Sequence, residues 1–321
     1  MRSKITVTGA NIVFFIFAVL FLLSQFILTI FISTSVIING PEYANNFLQE
    51  NIYPITFINE YLFILTPVII YALIKKLNFK EVFRLKSPGL IPAFLIILMS
   101  VPAYFVALSL NSIVIYLLQF IGPIPAQPIP VPRNLQELVI GIFFIAVTPG
   151  ICEEMLHRGL LLKAYEKRGT IKALIITSIF FGIFHFDINN LLGPIFLGLL
   201  IGYYVIRTNS IFAGMIAHFL NNAFAEIMQY FYARDLQIET VRISGLDLLS
   251  AITYGIIGFL VLSVFIVLFR KVTEKRCSYM PPISSIKEDV ISVISHWPII
   301  IIVLLYVVMV VLSLITLSVN A

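Results

Sequence analysis

The chain has 321 residues, of which 60% are hydrophobic and only 12% charged, with a formal net charge of +5. Its mean hydropathy of +1.03 excludes a soluble globular domain, since such domains are nearer half apolar and a quarter charged. The positive charge needs no nucleic-acid partner to explain it: the basic residues fall in short stretches between long apolar runs, where they act as orientation signals.

In chain order, hydropathy marks windows at 11–35, 54–74, 89–120, 137–162, 171–187, 190–206, 210–231, 247–270 and 298–318, most of them long enough for a bilayer core. The first is too long for the apolar core of a cleaved signal peptide and is expected to be retained. The fifth and sixth are short, joined by the turn Asp187-Ile188-Asn189-Asn190, so either is expected to cross incompletely. The expected fold class is all-α, a polytopic transmembrane helix bundle of about eight or nine spans. Alternation of the loops leaves Arg133, Arg234 and Arg242 on one side and every other lysine and arginine except Arg158 on the other. That bias puts the N-terminus in the cytoplasm. Three regions follow: N-terminal helices and a proline-rich external loop (1–136), a polar core (137–231) and C-terminal helices (232–321).

The loop holding Pro123, Pro125, Pro128, Pro130 and Pro132 is expected to be a stiff, extended connector. The stretch 271–289 is polar and links the last span, an accessory, to the rest. Cys152 and Cys277 lie far apart and suggest neither a disulfide framework nor a thiolate metal site.

Inside the apolar runs, ionisable groups cost a few kcal/mol each and face one another or a cavity. TPGICEEMLHRGLL, from Thr148 to Leu161, carries four of them. Glu154 and Arg158 are four apart, as are Glu153 and His157, so each pair can meet on one helix face. One division has Arg158 holding Glu154 while Glu153 points into a cavity; a purely structural ion-pair network is the other reading. His185 closes SIFFGIFHF, and His218, Asn222 and Glu226 form a polar stripe at four-residue spacing. At 1.5 Å per residue, Glu153 lies roughly 15 Å from Lys163, His185 roughly 20 Å from Lys172, and His218 and Asn222 roughly 12 and 18 Å from Ser210. Three helices thus bring acid, imidazole and amide groups to comparable depth.

A carboxylate beside a histidine can take a proton from water and return it to a leaving group, while a second histidine and an amide can stabilise a tetrahedral oxyanion. No serine or cysteine nucleophile has a convincing partner, so attack by water on a peptide bond within the membrane is the favoured chemistry. The motifs Glu153-Glu154-x-x-x-Arg158, Phe181-x-x-x-His185 and His218-x-x-x-Asn222 occur in that order, and over 137–226 the chain resembles the CPBP (Abi) family of intramembrane proteases, which includes CAAX prenyl endopeptidases and bacteriocin-processing proteins. The resemblance implies Glu153 as general base assisted by His185, Glu154 as a second acid positioned by Arg158, and His218 with Asn222 as the oxyanion hole. His157 and Glu226 lie off the motifs and are expected to be supporting or structural.

The resemblance also implies a cavity open to the cytoplasm and a glutamate protease without metal. Zinc on Glu153, His185 and His218 is the alternative, although the H-E-x-x-H signature is absent. The substrate is then a peptide or membrane protein, of the prenylated or bacteriocin-precursor kind, and the other partner is the lipid bilayer. A multi-pass protein of a prokaryotic plasma membrane is expected. Two other readings stay open: a proton-coupled transporter with a Glu/His relay, and a non-catalytic immunity or scaffold protein of the same fold. Glu60 is read as interfacial, near the outer end of the second span, and His296 as solvated. The run Lys75 to Lys86 is read as a solvated positive loop, with an amphipathic surface helix as the alternative, and no phosphate-binding loop is present.

Overall fold

The structure, a computed structural model, describes residues 5–126, 130–232, 240–277 and 279–319. It is a helix bundle: α1 (Val7–Asn39), α2 (Pro41–Ile74), the single turn α3 (Phe79–Val82), α4 (Leu90–Leu118), α5 (Leu135–Arg168), α6 (Thr170–Ile183), α7 (Leu192–Thr208), α8 (Ile211–Tyr232), α9 (Gly245–Val272), α10 (Ile286–Ile294) and α11 (Trp297–Val319). Among the described residues seven helices are long and apolar enough to cross a membrane. α6 and α7, with 14 and 17 residues, measure only about 21 and 26 Å. They nevertheless reach the far end of the bundle as a hairpin, because Asn111 of α4 donates to Asn190 (2.8 Å) and accepts from the Gly193 N–H (2.8 Å).

The ends rich in lysine and arginine gather on one face, as the loop alternation requires. Arg84 pairs with Glu166, Arg168 with Asp289 at 2.9 Å, and Arg207 donates to Thr273 at 3.0 Å. At the opposite face Gln119 donates to the Ile243 carbonyl at 2.8 Å. Arg2, Lys4, Arg234 and Pro128, used in the sequence reading, lie outside the described residues.

Three sequence expectations change here. α2 starts at Pro41, thirteen residues before the window; its first turns are too polar for a hydropathy scan, but proline at the first helical position suits a helix start. The proline-rich loop contains a two-residue strand, Ile124–Pro125, paired antiparallel with Thr240–Val241. The basic run is not a solvated loop throughout: Phe83 and Arg84 are buried, and Arg84 is neutralised by Glu166.

Helices in lipid gain little from hiding apolar surface, so close packing and polar contacts decide their association. One half of the core joins α1, α2, α5, α6 and α11 around Phe14, Phe17, Leu156 and Phe184. The last span packs on α1 through Ile299 and Ile302. The other half joins α4, α7, α8 and α9 around Met99, Tyr204 and Phe269. α5 and α8 meet between the halves, and the polar residues lie along that seam.

Two of the long helices widen to π-helical turns just before a Thr-Pro step. These are Ile58–Leu65 before Thr66-Pro67 and Ile142–Val147 before Thr148-Pro149. Proline has no N–H and its ring presses on the carbonyl one turn back; a wider turn accommodates both. The threonine hydroxyls satisfy carbonyls there, Thr66 donating to Tyr61 at 2.8 Å and Thr148 to Phe144 at 2.5 Å. A third wide stretch, Met155–Leu161, follows the two glutamates directly.

Candidate active site

α5 carries Glu153 and Glu154 between two wide stretches, and α8 crosses it closely because both helices use glycine at the crossing. A Cβ at Gly150 would stand 3.3 Å from the Phe219 nitrogen, and one at Gly214 only 2.6 Å from Glu154 Oε2. That approach lets His218 reach across. Its Nδ1 lies 2.9 Å from Glu154 Oε1, the same oxygen that accepts from Arg158 Nη1 at 2.5 Å. Arg158 also donates to the Gly198 carbonyl of α7 at 3.4 Å and lies over the Phe181 ring, 4.3 Å from its centroid. Glu154 is fully buried, a position a carboxylate holds only when paired and hydrogen-bonded.

Glu153 stands differently. Its Oε2 has no hydrogen-bond partner and lies 3.9 Å from His218 Nε2. His218 therefore bridges the two acids with its two ring nitrogens. Since a carboxylate can only accept, Nδ1 carries the hydrogen. His185 follows the end of α6, where Phe186 turns into the left-handed region at φ 50°. Its Nδ1 donates to the Phe181 carbonyl at 2.9 Å, leaving Nε2 as the acceptor nitrogen of a neutral ring. The Phe181 ring touches both imidazoles edge-on, 5.4 Å from His185 and 5.7 Å from His218. Asn222, one turn beyond His218, donates to the Ile145 carbonyl at 3.0 Å, a group in the wide turn before Thr148-Pro149.

The structure thus brings Glu153, Glu154, Arg158 and His218 into one cluster, with His185 joined to it through Phe181 and Asn222 tied to α5 beside it. It does not form the Glu153–His157 pair. His157 is fully buried among Phe14, Phe181 and Phe184, with centroids 5.9, 4.9 and 4.8 Å away, and neither of its nitrogens has a hydrogen-bond partner. Spacing of four permits such a pair without requiring it, and here the His157 ring is taken up by the phenylalanines. Among the described residues no three His, Cys, Asp or Glu groups are grouped to hold a metal ion.

Two further residues correct that reading. Glu60 is buried rather than interfacial: with α2 starting at Pro41 it sits mid-helix, on a wide stretch packed against the Glu153 segment. A single acid within the apolar run 55–74 was the available signal. His296 is not simply solvated; its Nδ1 lies 3.1 Å from Asn11 Nδ2, and Asn11 in turn hydrogen-bonds Tyr165.

Fold and site together define a multi-pass membrane protein with a buried carboxylate–imidazole–guanidinium cluster held by glycine-mediated helix crossings. Residues 135–224 match the family of type II CAAX prenyl endopeptidase Rce1-like proteins. It is 32% identical over 96 residues to a Bacillus subtilis (strain 168) protein named "Putative membrane peptidase YdiL". That stretch covers 30% of this chain and 39% of the relative. No solved structure matches.

Proposed function

We propose that the chain is an intramembrane endopeptidase in which Glu153 activates water against a peptide carbonyl. One observation carries the reading: His218 hydrogen-bonds Glu154 through one nitrogen while facing the unpartnered Oε2 of Glu153 with the other. Glu153 takes a proton as water oxygen bonds to the carbonyl carbon. The proton then passes to the amide nitrogen as the C–N bond breaks, leaving a carboxylic acid and an amine. With its Nδ1–H committed to Glu154, His218 donates to the tetrahedral oxyanion from Nε2 only as the imidazolium, which Glu154 supports. Asn222 adds a second donor on exchanging the Ile145 carbonyl for the oxyanion, and His185 assists from Nε2.

The site faces the cytoplasmic half of a prokaryotic plasma membrane in this reading, and the substrate is a membrane-inserted peptide. The family match and the similarity to a peptidase-named relative support this assignment. The test compares new peptide termini in cells carrying wild-type protein or Glu153→Gln. Cleavage lowered by about 10²–10⁴-fold in the variant, the size of a general-base contribution, is expected with insertion unchanged. Equal termini in both would overturn the assignment. A second arm uses purified protein freed of zinc by chelator: cleavage continues if water is activated by Glu153 alone, whereas loss restored by zinc would mean that a metal does it.

A further inference from the structure

The loop between α2 and α4 turns inward at Val82, Phe83 and Arg84, which are buried, while Lys80, Glu81, Leu85 and Lys86 beside them are exposed. Phe83 enters a notch that a glycine provides. A Cβ on Gly159 of α5 would overlap the Phe83 ring, and Ile211 Cδ1 of α8 stands 3.5 Å from the same point. The Arg84 side chain pairs with Glu166 of α5, and its carbonyl accepts the Ile211 N–H of α8 at 3.2 Å. The Ser210 hydroxyl, just ahead of α8, donates to the Lys86 carbonyl. Phe83 and Arg84 thus bind the basic ends of α5 and α8 to each other. These two helices carry the candidate site. Gly159 lies six residues beyond Glu153, and Ile211 seven residues before His218. Those separations are about 9 and 11 Å along the two helices, so the wedge enters the α5–α8 seam at one level, nearer the basic face than the Glu153–His218 contact.

The wedge is held less completely than permanent packing would be. Arg84 Nε and Nη1 are buried without a hydrogen-bond partner, and buried donors left unmade are costly. Arg84 also sits in the left-handed backbone region at φ 48°, as does Lys76 at φ 49° where the loop begins, and such conformations are held only by their surroundings. Withdrawal of the loop hydrates the guanidinium and relaxes the backbone, which offsets part of the lost Phe83 burial. Glu166 is not stranded by it, because Lys163 stands 3.5 Å from its other oxygen. Gly89, at φ 89°, closes the loop with a residue free to change its backbone angles.

We propose that Phe83 and Arg84 form a gate on the basic face. Inserted, they shut the seam between α5 and α8; withdrawn, they open it towards Glu153 and His218. That the gate admits a peptide rests on the endopeptidase reading, whereas the gate itself rests on the packing of the loop between the two helices.

The test follows access to position 153 without a substrate. Glu153→Cys is made in the full chain together with Cys152→Ala and Cys277→Ala, and sealed vesicles are treated with a charged, membrane-impermeant methanethiosulfonate on one face at a time. Labelling is expected from the face that carries the loop. Phe83→Ala is expected to speed it from that face at least about tenfold, since a buried Phe→Ala change removes more stabilisation than that factor requires. Phe83→Leu, which keeps more of the bulk, is expected to speed it less. Met99→Cys, at a fully buried position in the other half of the core, is expected to stay unlabelled throughout, which separates local opening from general loosening. Equal labelling with and without Phe83→Ala overturns the gate, as does faster labelling from the opposite face. So does a native loop that leaves position 153 as unreactive as Met99→Cys, because the wedge would then be fixed packing. If Phe83→Ala aggregates, Phe83→Leu against the native loop decides. Failure of the protease reading would show in the peptide termini, which this labelling does not involve.

Discussion

Arg158 shows how one side chain can hold several helices. Its guanidinium binds Glu154 on its own helix and the Gly198 carbonyl on α7, and it stacks on Phe181 of α6. Removing it strands a fully buried carboxylate, and breaking such a pair costs about 3–5 kcal/mol. Arg158→Ala is therefore expected to lower the thermal unfolding midpoint in detergent markedly. Arg158→Ala combined with Glu154→Gln should recover part of that loss, because the orphaned charge is gone; a double variant no more stable than Arg158→Ala alone would contradict the account. Arg158→Lys keeps the charge but not the planar fork or the ring stacking, and should fall between wild type and Arg158→Ala.

At the scale of elements, the crossing of α5 and α8 depends on what glycine omits. A side chain at Gly214 would enter the space of Glu154 Oε2, and Val205 Cγ2 of α7 stands 2.8 Å from the same point. Gly214→Val is expected to separate the helices, break the His218–Glu154 contact and cost about 1–3 kcal/mol of stability, the range for overpacking a filled core. Cleavage should fall by more than stability does, since the bridge between the two acids is lost; full cleavage by a stably inserted variant would show that the crossing is dispensable. The wide turns belong to the same argument. They sit where Thr-Pro steps interrupt α2 and α5, and they change which residues share a face.

At the scale of the whole molecule, the segment after α9 straps across the basic face. Thr170 and Met280 exchange hydrogen bonds, with the Met280 N–H donating to the Thr170 hydroxyl at 2.8 Å and the Thr170 N–H to the Met280 carbonyl at 3.0 Å. Asp289 of α10 receives Arg168 at 2.9 Å, Ser284 at 2.6 Å and also Lys172. Burial by itself would raise the pKa of Asp289, but the hydrogen bonds from Lys172, Ser284 and Arg168 prevail and hold it at about 2. A carboxyl depressed in the folded state stabilises it above the unfolded value, near 3.9, and loses that contribution as pH falls through the folded one. The strap should thus remain docked down to about pH 4 and release towards about pH 2. Asp289→Asn should release it at neutral pH, seen as faster proteolysis around 279–296; equal protection in wild type and variant would rule this out.

Sequence patterning by itself determined the membrane class, the positions of the apolar helices, the side to which their basic ends point and the Glu154–Arg158 pair. These follow from hydropathy, loop charge and four-residue spacing, which act within one segment. Tertiary structure alone decided that His218 lies between Glu153 and Glu154, that Glu60 is buried on a stretch of α2 packed against the Glu153 segment, that His157 is enclosed by phenylalanines and that His296 meets Asn11. The physical reason is that in lipid nearly every helix face is apolar, so hydropathy carries little record of which face meets which neighbour. Glycine contacts, wide turns and a few buried hydrogen bonds settle that choice, and they become visible only when helices distant in the chain are brought side by side.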